Sequence, residues 1–72
     1  MSKFNIRVQD TIIEIEGNER YYIEVRDRAF IGTILEKMDF DYDGRVFFYI
    51  LTDEENEDYQ IVEDEIIKIN KL

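Results

Sequence analysis

The chain has 72 residues, 44% of them hydrophobic, and its 18 acidic and nine basic side chains give a formal net charge of −9. This length predicts one domain over residues 1–72, close to the lower limit for a hydrophobic core without crosslinks. Cysteine and histidine are both absent, which excludes zinc sites of the usual kind, disulfides, thiol nucleophiles and imidazole bases.

Hydropathy and charge indicate where in the cell the protein is located and what kind of molecule it binds. No apolar run approaches the roughly 20 residues that a membrane-spanning helix needs, and the first eight residues do not have the apolar block of a signal peptide. The sequence therefore predicts a cytoplasmic protein without a membrane anchor. The acidic surplus opposes direct nucleic-acid binding, which gains affinity from lysine and arginine, and favours a protein partner with a basic surface.

The apolar residues are mainly isoleucine, valine, phenylalanine and tyrosine, which are typical of β-strands. Residues 4–8 alternate apolar and polar side chains, as a strand with one solvated face does, and a turn is expected near Gln9-Asp10. The alternation returns at residues 13–15 and again at residues 21–25, with Gly17-Asn18 as a turn between them. These last two segments predict a β-hairpin.

The segment AFIGTILEKM, residues 29–38, fits two structures. Its apolar residues have helical spacing, and Asp27 would cap such a helix. Gly32 and Thr33 are poor helix residues, however, and the alternation of residues 31–35 also fits a strand. We favour the strand and therefore an all-β fold. The alternative is an α+β fold with one helix near residues 29–38 packed on an antiparallel sheet.

The second half of the chain contains the most apolar segment, RVFFYILT at residues 45–52, which predicts a core strand packed on both faces. The acidic segment DEENED at residues 53–58 predicts an exposed loop. A short strand, an acidic turn at residues 63–65 and a closing strand that ends at Ile69 complete the predicted fold.

Four segments together, IEVRDRAFIGTILEK, DYDGR, VFFYIL and QIVEDEIIKI, resemble an SH3-like small β-barrel of the Tudor, KOW or Sm-like kind over about residues 22–69. The resemblance implies five to six antiparallel strands, preceded here by an N-terminal strand. It places Gly32 where such barrels bend a long strand, and residues 63–65 in the one-turn element before the last strand. A side chain would obstruct a bend of this sharpness.

The segment DFDYDG resembles the first half of a calcium loop, because Asp39, Asp41, Asp43 and Gly44 match its first, third, fifth and sixth positions. Ile50 stands where the loop needs its closing bidentate glutamate. We therefore favour a hairpin turn at Asp43-Gly44 over a calcium site, and we predict no cofactor.

Two sets of residues are candidates for partner binding, and none is predicted to be catalytic. Carboxylate pairs are expected by chance in so acidic a chain, and a domain of this size seldom encloses a substrate cleft. The first set is an acidic surface made of Asp53, Glu54, Glu55, Glu57, Asp58, Glu63, Asp64 and Glu65. The second set is a group of tyrosine rings for peptide binding, made of Tyr42, Tyr49 and Tyr59.

The sequence therefore predicts a non-enzymatic acidic binding protein that engages a basic protein. In its most specific form this is an inhibitor that mimics nucleic acid, in the general character of small acidic proteins from phages and mobile elements. The alternative is an SH3-like or Tudor-like adaptor that grips a peptide through its tyrosines. Exposed strand edges also make a homodimer conceivable, because a small domain gains core by pairing.

Overall fold

The computed structural model describes residues 3–39 and 46–72, which form seven β-strands and one 3₁₀ turn and contain no α-helix. The all-β prediction is therefore confirmed. The strands are β1 (Lys3–Val8), β2 (Thr11–Glu16), β3 (Tyr21–Val25), β4 (Arg28–Asp39), β5 (Phe47–Asp53), β6 (Asp58–Val62) and β7 (Ile66–Lys71), and the 3₁₀ turn spans Glu63–Glu65.

The strands form two antiparallel sheets. Strands β1 and β2 make a two-stranded sheet, and the other five make a sheet of order β6-β5-β4-β3-β7. Strands β3 to β6 follow one another as a meander, and β7 returns to pair with β3. This small antiparallel core is compatible with the barrel-like fold that the resemblance implies.

The N-terminal hairpin forms as the alternation predicts. Val8 pairs with Thr11, so Gln9 and Asp10 are the two loop residues, and Gln9 has a φ of 56°. A positive φ at the first loop residue is what the right-handed twist of a two-residue hairpin requires. The hairpin directs the fully buried Ile6 and Ile15 into the core of the large sheet.

The predicted hairpin across Gly17-Asn18 is wrong, because this turn joins two sheets. Strand β2 pairs only with β1, whereas β3 pairs with β4 on one edge and β7 on the other. The turn itself is real: the Glu19 N–H donates to the Glu16 carbonyl at 3.3 Å. The residues Gly17-Asn18 therefore predicted the turn correctly. Strand β2 cannot pair with β3, however, because both edges of β3 are paired with other strands.

Residues 29–38 lie within the 12-residue strand β4, as favoured, and the helical alternative is wrong. The first half of β4 pairs with β3 and the second half with β5. Both pairings meet at Gly32, which faces Tyr21 on one side and Asp53 on the other. The register with β5 then shifts between Ile34 and Glu36, so Leu35 occupies a bulge, as is common where a sheet bends.

Gly32 is required by close packing of backbone against backbone. A Cβ at this position would lie 3.0 Å from the Cα of Asp53 and closer still to the carbonyl oxygen of Thr52. No side chain can be accommodated there without moving β5. Gly32 is thus the one residue type that lets β4 and β5 approach this closely.

The predicted core strand, exposed loop and acidic turn are all confirmed. Strand β5 lies between β4 and β6, the residues between β5 and β6 are exposed, and the 3₁₀ turn precedes β7. The largest fully buried side chains come from both sheets, and each aliphatic one adds about 1.5–3 kcal/mol by leaving water. They are Tyr49, Ile6, Ile15, Ile23, Ile34, Leu51 and Ile66.

Part of one prediction falls outside the described residues. Asp41, Asp43 and Tyr42, together with the expected turn at Asp43-Gly44, belong to residues 40–45. Asp39 is the last residue of β4 and is exposed. Among residues 3–39 and 46–72, no group of three acidic side chains is arranged to hold a metal ion.

Candidate functional site

A groove of about 520 Å³ lies on the described surface beside the first half of β4. One wall is the first half of β4, and the opposite wall is Tyr59 of β6 together with the start of the β5–β6 loop, Asp53 to Glu55. A smaller cavity of about 130 Å³ lies beyond it and reaches Glu65. Arg28, Phe30 and Tyr59 line both, so the two cavities adjoin at these three side chains, and together they are called the groove below.

Aromatic side chains form the middle of this groove. The rings of Phe30 and Tyr59 pack with centroids 4.9 Å apart and an interplanar angle of 44°. The Arg28 guanidinium lies over both, 5.4 Å from the Phe30 centroid and 5.8 Å from that of Tyr59. Because a guanidinium is attracted by the negative face of an aromatic ring, Arg28 already fills one cation position over these rings.

The β5–β6 loop, residues 54–57, is held in shape by Asp53. One carboxylate oxygen of Asp53 accepts hydrogen bonds from the Glu55 N–H at 2.9 Å and from the Glu57 N–H at 3.0 Å. Asn56 supplies the left-handed residue of the loop, with a φ of 63°, which asparagine tolerates well. The carboxylates at this end of the groove are therefore carried by an ordered loop.

The exposed acids at this end have few cationic neighbours. Glu54 forms an ion pair with Arg20, in which both side chains are more than half exposed. The Glu55 side chain is exposed and has no ion-pair partner among the described residues. The loop therefore carries more carboxylates than cationic partners at its surface, and the one ion pair that it makes contributes little to stability.

Two tyrosines beside the groove donate hydrogen bonds to carboxylates. Tyr22 donates to Glu24 at 3.0 Å, and Tyr59 donates to Glu57 at 2.9 Å. Each bond raises the pKa of its phenol, since ionisation would place two negative charges together. Both hydroxyl groups thus stay protonated to a higher pH than a free phenol does.

Glu63 does not belong to the exposed acidic surface. Its side chain is only 6% exposed and accepts a hydrogen bond from the Tyr49 hydroxyl at 2.5 Å and one from the Arg7 N–H at 3.2 Å. The Arg7 guanidinium also approaches it at 3.8 Å and pairs with Asp64. Glu63 is therefore a structural residue that joins the N-terminal hairpin to the large sheet.

The remaining predicted acids divide into two groups at opposite ends of β6. Strand β6 has five residues, which separates its ends by about 13 Å. Glu54 and Glu55 border the large end of the groove, and Glu65 borders the small end. Asp58 accepts a hydrogen bond from Thr52 at 2.5 Å. The sequence thus identified acids at both ends of one groove, without indicating the groove between them.

The three predicted tyrosines have different environments. Tyr59 lies in the groove, Tyr49 is fully buried in the core, and Tyr42 is outside the described residues. The sequence reasoning missed Tyr22, Arg28 and Phe30. The signal for two of them was present, because Arg28 and Phe30 are two apart on a strand and so share a face.

Alkaline titration is expected to destabilise the fold through Tyr49. Burial, and then the hydrogen bond to Glu63, raise the pKa of Tyr49 far above its usual value of 10.0. In the unfolded chain this phenol ionises near pH 10, so its contribution is complete below that pH and is lost as pH rises further. The free energy of unfolding should fall by up to about 1.4 kcal/mol per pH unit from this group.

Urea unfolding between pH 8 and pH 11.5 checks this, with Tyr49→Phe as the reference that lacks the hydroxyl. The difference in slope between the two proteins isolates Tyr49 from the other alkaline groups. Equal slopes above pH 10 would contradict the assignment.

No family model, curated protein or solved structure matches the chain. Within residues 3–39 and 46–72, no helix has the length and apolarity needed to cross a membrane.

Proposed function

We propose that the chain is a non-enzymatic binding domain that engages a basic segment of another protein through the groove between β4 and β6. The observation that carries this proposal is the arrangement of charged and aromatic side chains along the groove. Carboxylates border both ends, and the stacked rings of Phe30 and Tyr59 lie between them. Arginine and lysine side chains match both features, by charge and by attraction to aromatic faces.

The proposal includes the SH3-like type of small barrel and a cytoplasmic location. Support for the fold type comes from the strand order, in which a four-strand meander is followed by a 3₁₀ turn and a last strand beside the first. The close approach of β4 and β5 at Gly32 also supports the fold type, because the resemblance requires a residue without a side chain at this position. Adaptor domains of this architecture present grooves lined by aromatic side chains, which suits the alternative role of peptide binding.

Charge reversal in the groove is expected to weaken binding of a basic peptide. The probe is a fluorescein-labelled peptide of about ten residues in which arginine and threonine alternate, titrated by fluorescence anisotropy at about 150 mM salt. Changing Glu54, Glu55 and Glu65 to lysine should raise Kd at least about tenfold, because both ends of the groove change sign.

The matched control reverses three exposed acids outside the groove, Asp10, Glu14 and Glu36. Its net charge changes by the same amount, so long-range attraction falls equally, and its Kd should rise only about threefold or less. Equal losses in the two variants would mean that net charge alone attracts the peptide. Absence of binding by the unmodified protein would refute the proposed function.

Nucleic-acid mimicry is the more specific form of the same function. It is favoured by the surplus of nine negative charges and by the exposed carboxylates at the β5–β6 loop. In this form the partner is a protein with a basic nucleic-acid cleft, and duplex DNA or RNA competes with the chain for it. The adaptor form differs in that Tyr59→Ala is the more damaging change and nucleic acid does not compete.

A further inference from the structure

The first half of β4 has a strand on one edge only. Residues 28–32 pair with β3, but pairing with β5 begins at Gly32 and runs only toward Asp39. No described strand therefore covers the second edge of residues 28–31. An uncovered edge presents backbone N–H and C=O groups in the spacing that another strand needs.

The hairpin register identifies which residues present those groups. Val25 pairs with Arg28 across a two-residue turn, so the N–H of Arg28 bonds back to Val25. In an antiparallel pair, residues alternate between bonding to the partner strand and facing away from it. Arg28, Phe30 and Gly32 thus bond toward β3, and Ala29 and Ile31 direct their N–H and C=O groups to the uncovered edge.

This edge opens into the groove described above. Ala29 and Ile31 both line it, together with Phe30, Tyr59 and the acidic residues Asp53 to Glu55. Backbone hydrogen-bonding groups, aromatic rings and carboxylates therefore converge on the same space. A compact cation would contact only the aromatic rings and the carboxylates, whereas an extended peptide would also bond to the backbone groups.

We propose that the edge of β4 at Ala29 and Ile31 takes a basic peptide as an additional β-strand. This inference rests on the proposed function and specifies its mode. Charge selects the occupant: the walls carry three acids, Asp53, Glu54 and Glu55, against one base, Arg28. This negative surplus attracts arginine or lysine and repels a second copy of a chain with a net charge of −9.

The decisive test uses backbone N-methylation of the labelled arginine–threonine peptide. In a β-strand, successive N–H groups point to opposite edges, so all arginine N–H groups face one way and all threonine N–H groups the other. One peptide is N-methylated at every arginine and a second at every threonine. We expect one of them to retain its Kd within about twofold and the other to lose binding at least about tenfold.

Equal behaviour of the two N-methylated peptides would overturn the added strand. If both bound as well as the unmodified peptide, the proposed function would stand and only the strand mode would fail. If the unmodified peptide did not bind, both proposals would fail. Because these results differ, the two failures are distinguishable.

Ala29→Pro and Ala29→Val form a matched pair on the protein side. Proline removes the N–H that faces the groove and leaves pairing with β3 intact, whereas valine keeps this N–H. The proline variant should bind about five- to tenfold more weakly than the valine variant, with circular dichroism confirming the fold of both. Self-association of the unmodified protein that Ala29→Pro abolishes would show that a second copy occupies the edge, against the proposal.

Discussion

Replacing Gly32 by alanine is expected to lower the free energy of unfolding by about 3 kcal/mol or more, the upper range for overpacking. The added Cβ would meet the backbone of β5, at the Thr52 carbonyl oxygen and the Asp53 Cα. The backbone of β5 is hydrogen-bonded to β4 on one edge and to β6 on the other, so it cannot move aside as a flexible side chain can. For a domain of this size, the melting temperature should fall by roughly 12–24 °C.

Thr33→Ala is the matched control for Gly32→Ala, because it changes the next residue of the same strand without adding an atom. Its effect should stay below about 1 kcal/mol. Truncating the Thr52 side chain in the Gly32→Ala background should not restore stability, since the clash is with the Thr52 backbone. A melting temperature for Gly32→Ala within about 4 °C of the unmodified protein would show that β5 can move aside.

Tyr49→Phe is expected to cost about 1.5–3 kcal/mol, the usual contribution of a hydrogen bond to a charged group. The change removes only the hydroxyl that donates to Glu63 at 2.5 Å and leaves the buried carboxylate with fewer donors. Thermal unfolding should show a melting temperature lower by roughly 10 °C.

Tyr59→Phe provides the control for this prediction, since it also removes a hydroxyl that donates to a glutamate. The Tyr59 bond to Glu57 is exposed to solvent, so its loss should cost less than about 0.5 kcal/mol. Equal destabilisation by the two changes would refute the view that burial makes the Tyr49–Glu63 bond important.

Alternation of side chains was enough to predict most strands, because a strand with one solvated face has a period of two in any context. It also favoured the strand over the helix at residues 29–38, where Gly32 and Thr33 weaken a helix. It could not predict which strands pair. Strands β2 and β3 have the same alternation and a good turn between them, yet they do not pair with each other. Strand β2 pairs with β1, and β3 pairs with β4 and β7.

The candidate groove was only partly predictable for a related reason. The acids and Tyr59 stand out by composition, but Arg28 and Phe30 matter because the fold brings them against Tyr59 of β6. Glu63 looked like its neighbours Asp64 and Glu65 in sequence. Its burial depends on Tyr49 and Arg7, which lie 14 and 56 positions away in the sequence. A local sequence pattern cannot indicate contacts between residues so far apart.

The bond from the Arg7 backbone to Glu63 also bears on the order in which a newly synthesised chain acquires its structure. The N-terminal hairpin is made first but has only two strands, too few to be stable alone in water. Glu63, to which Arg7 of this hairpin bonds, is added by the ribosome 56 positions later. Such distant contacts slow folding, so the nascent hairpin is the segment most in need of protection until Glu63 has been added.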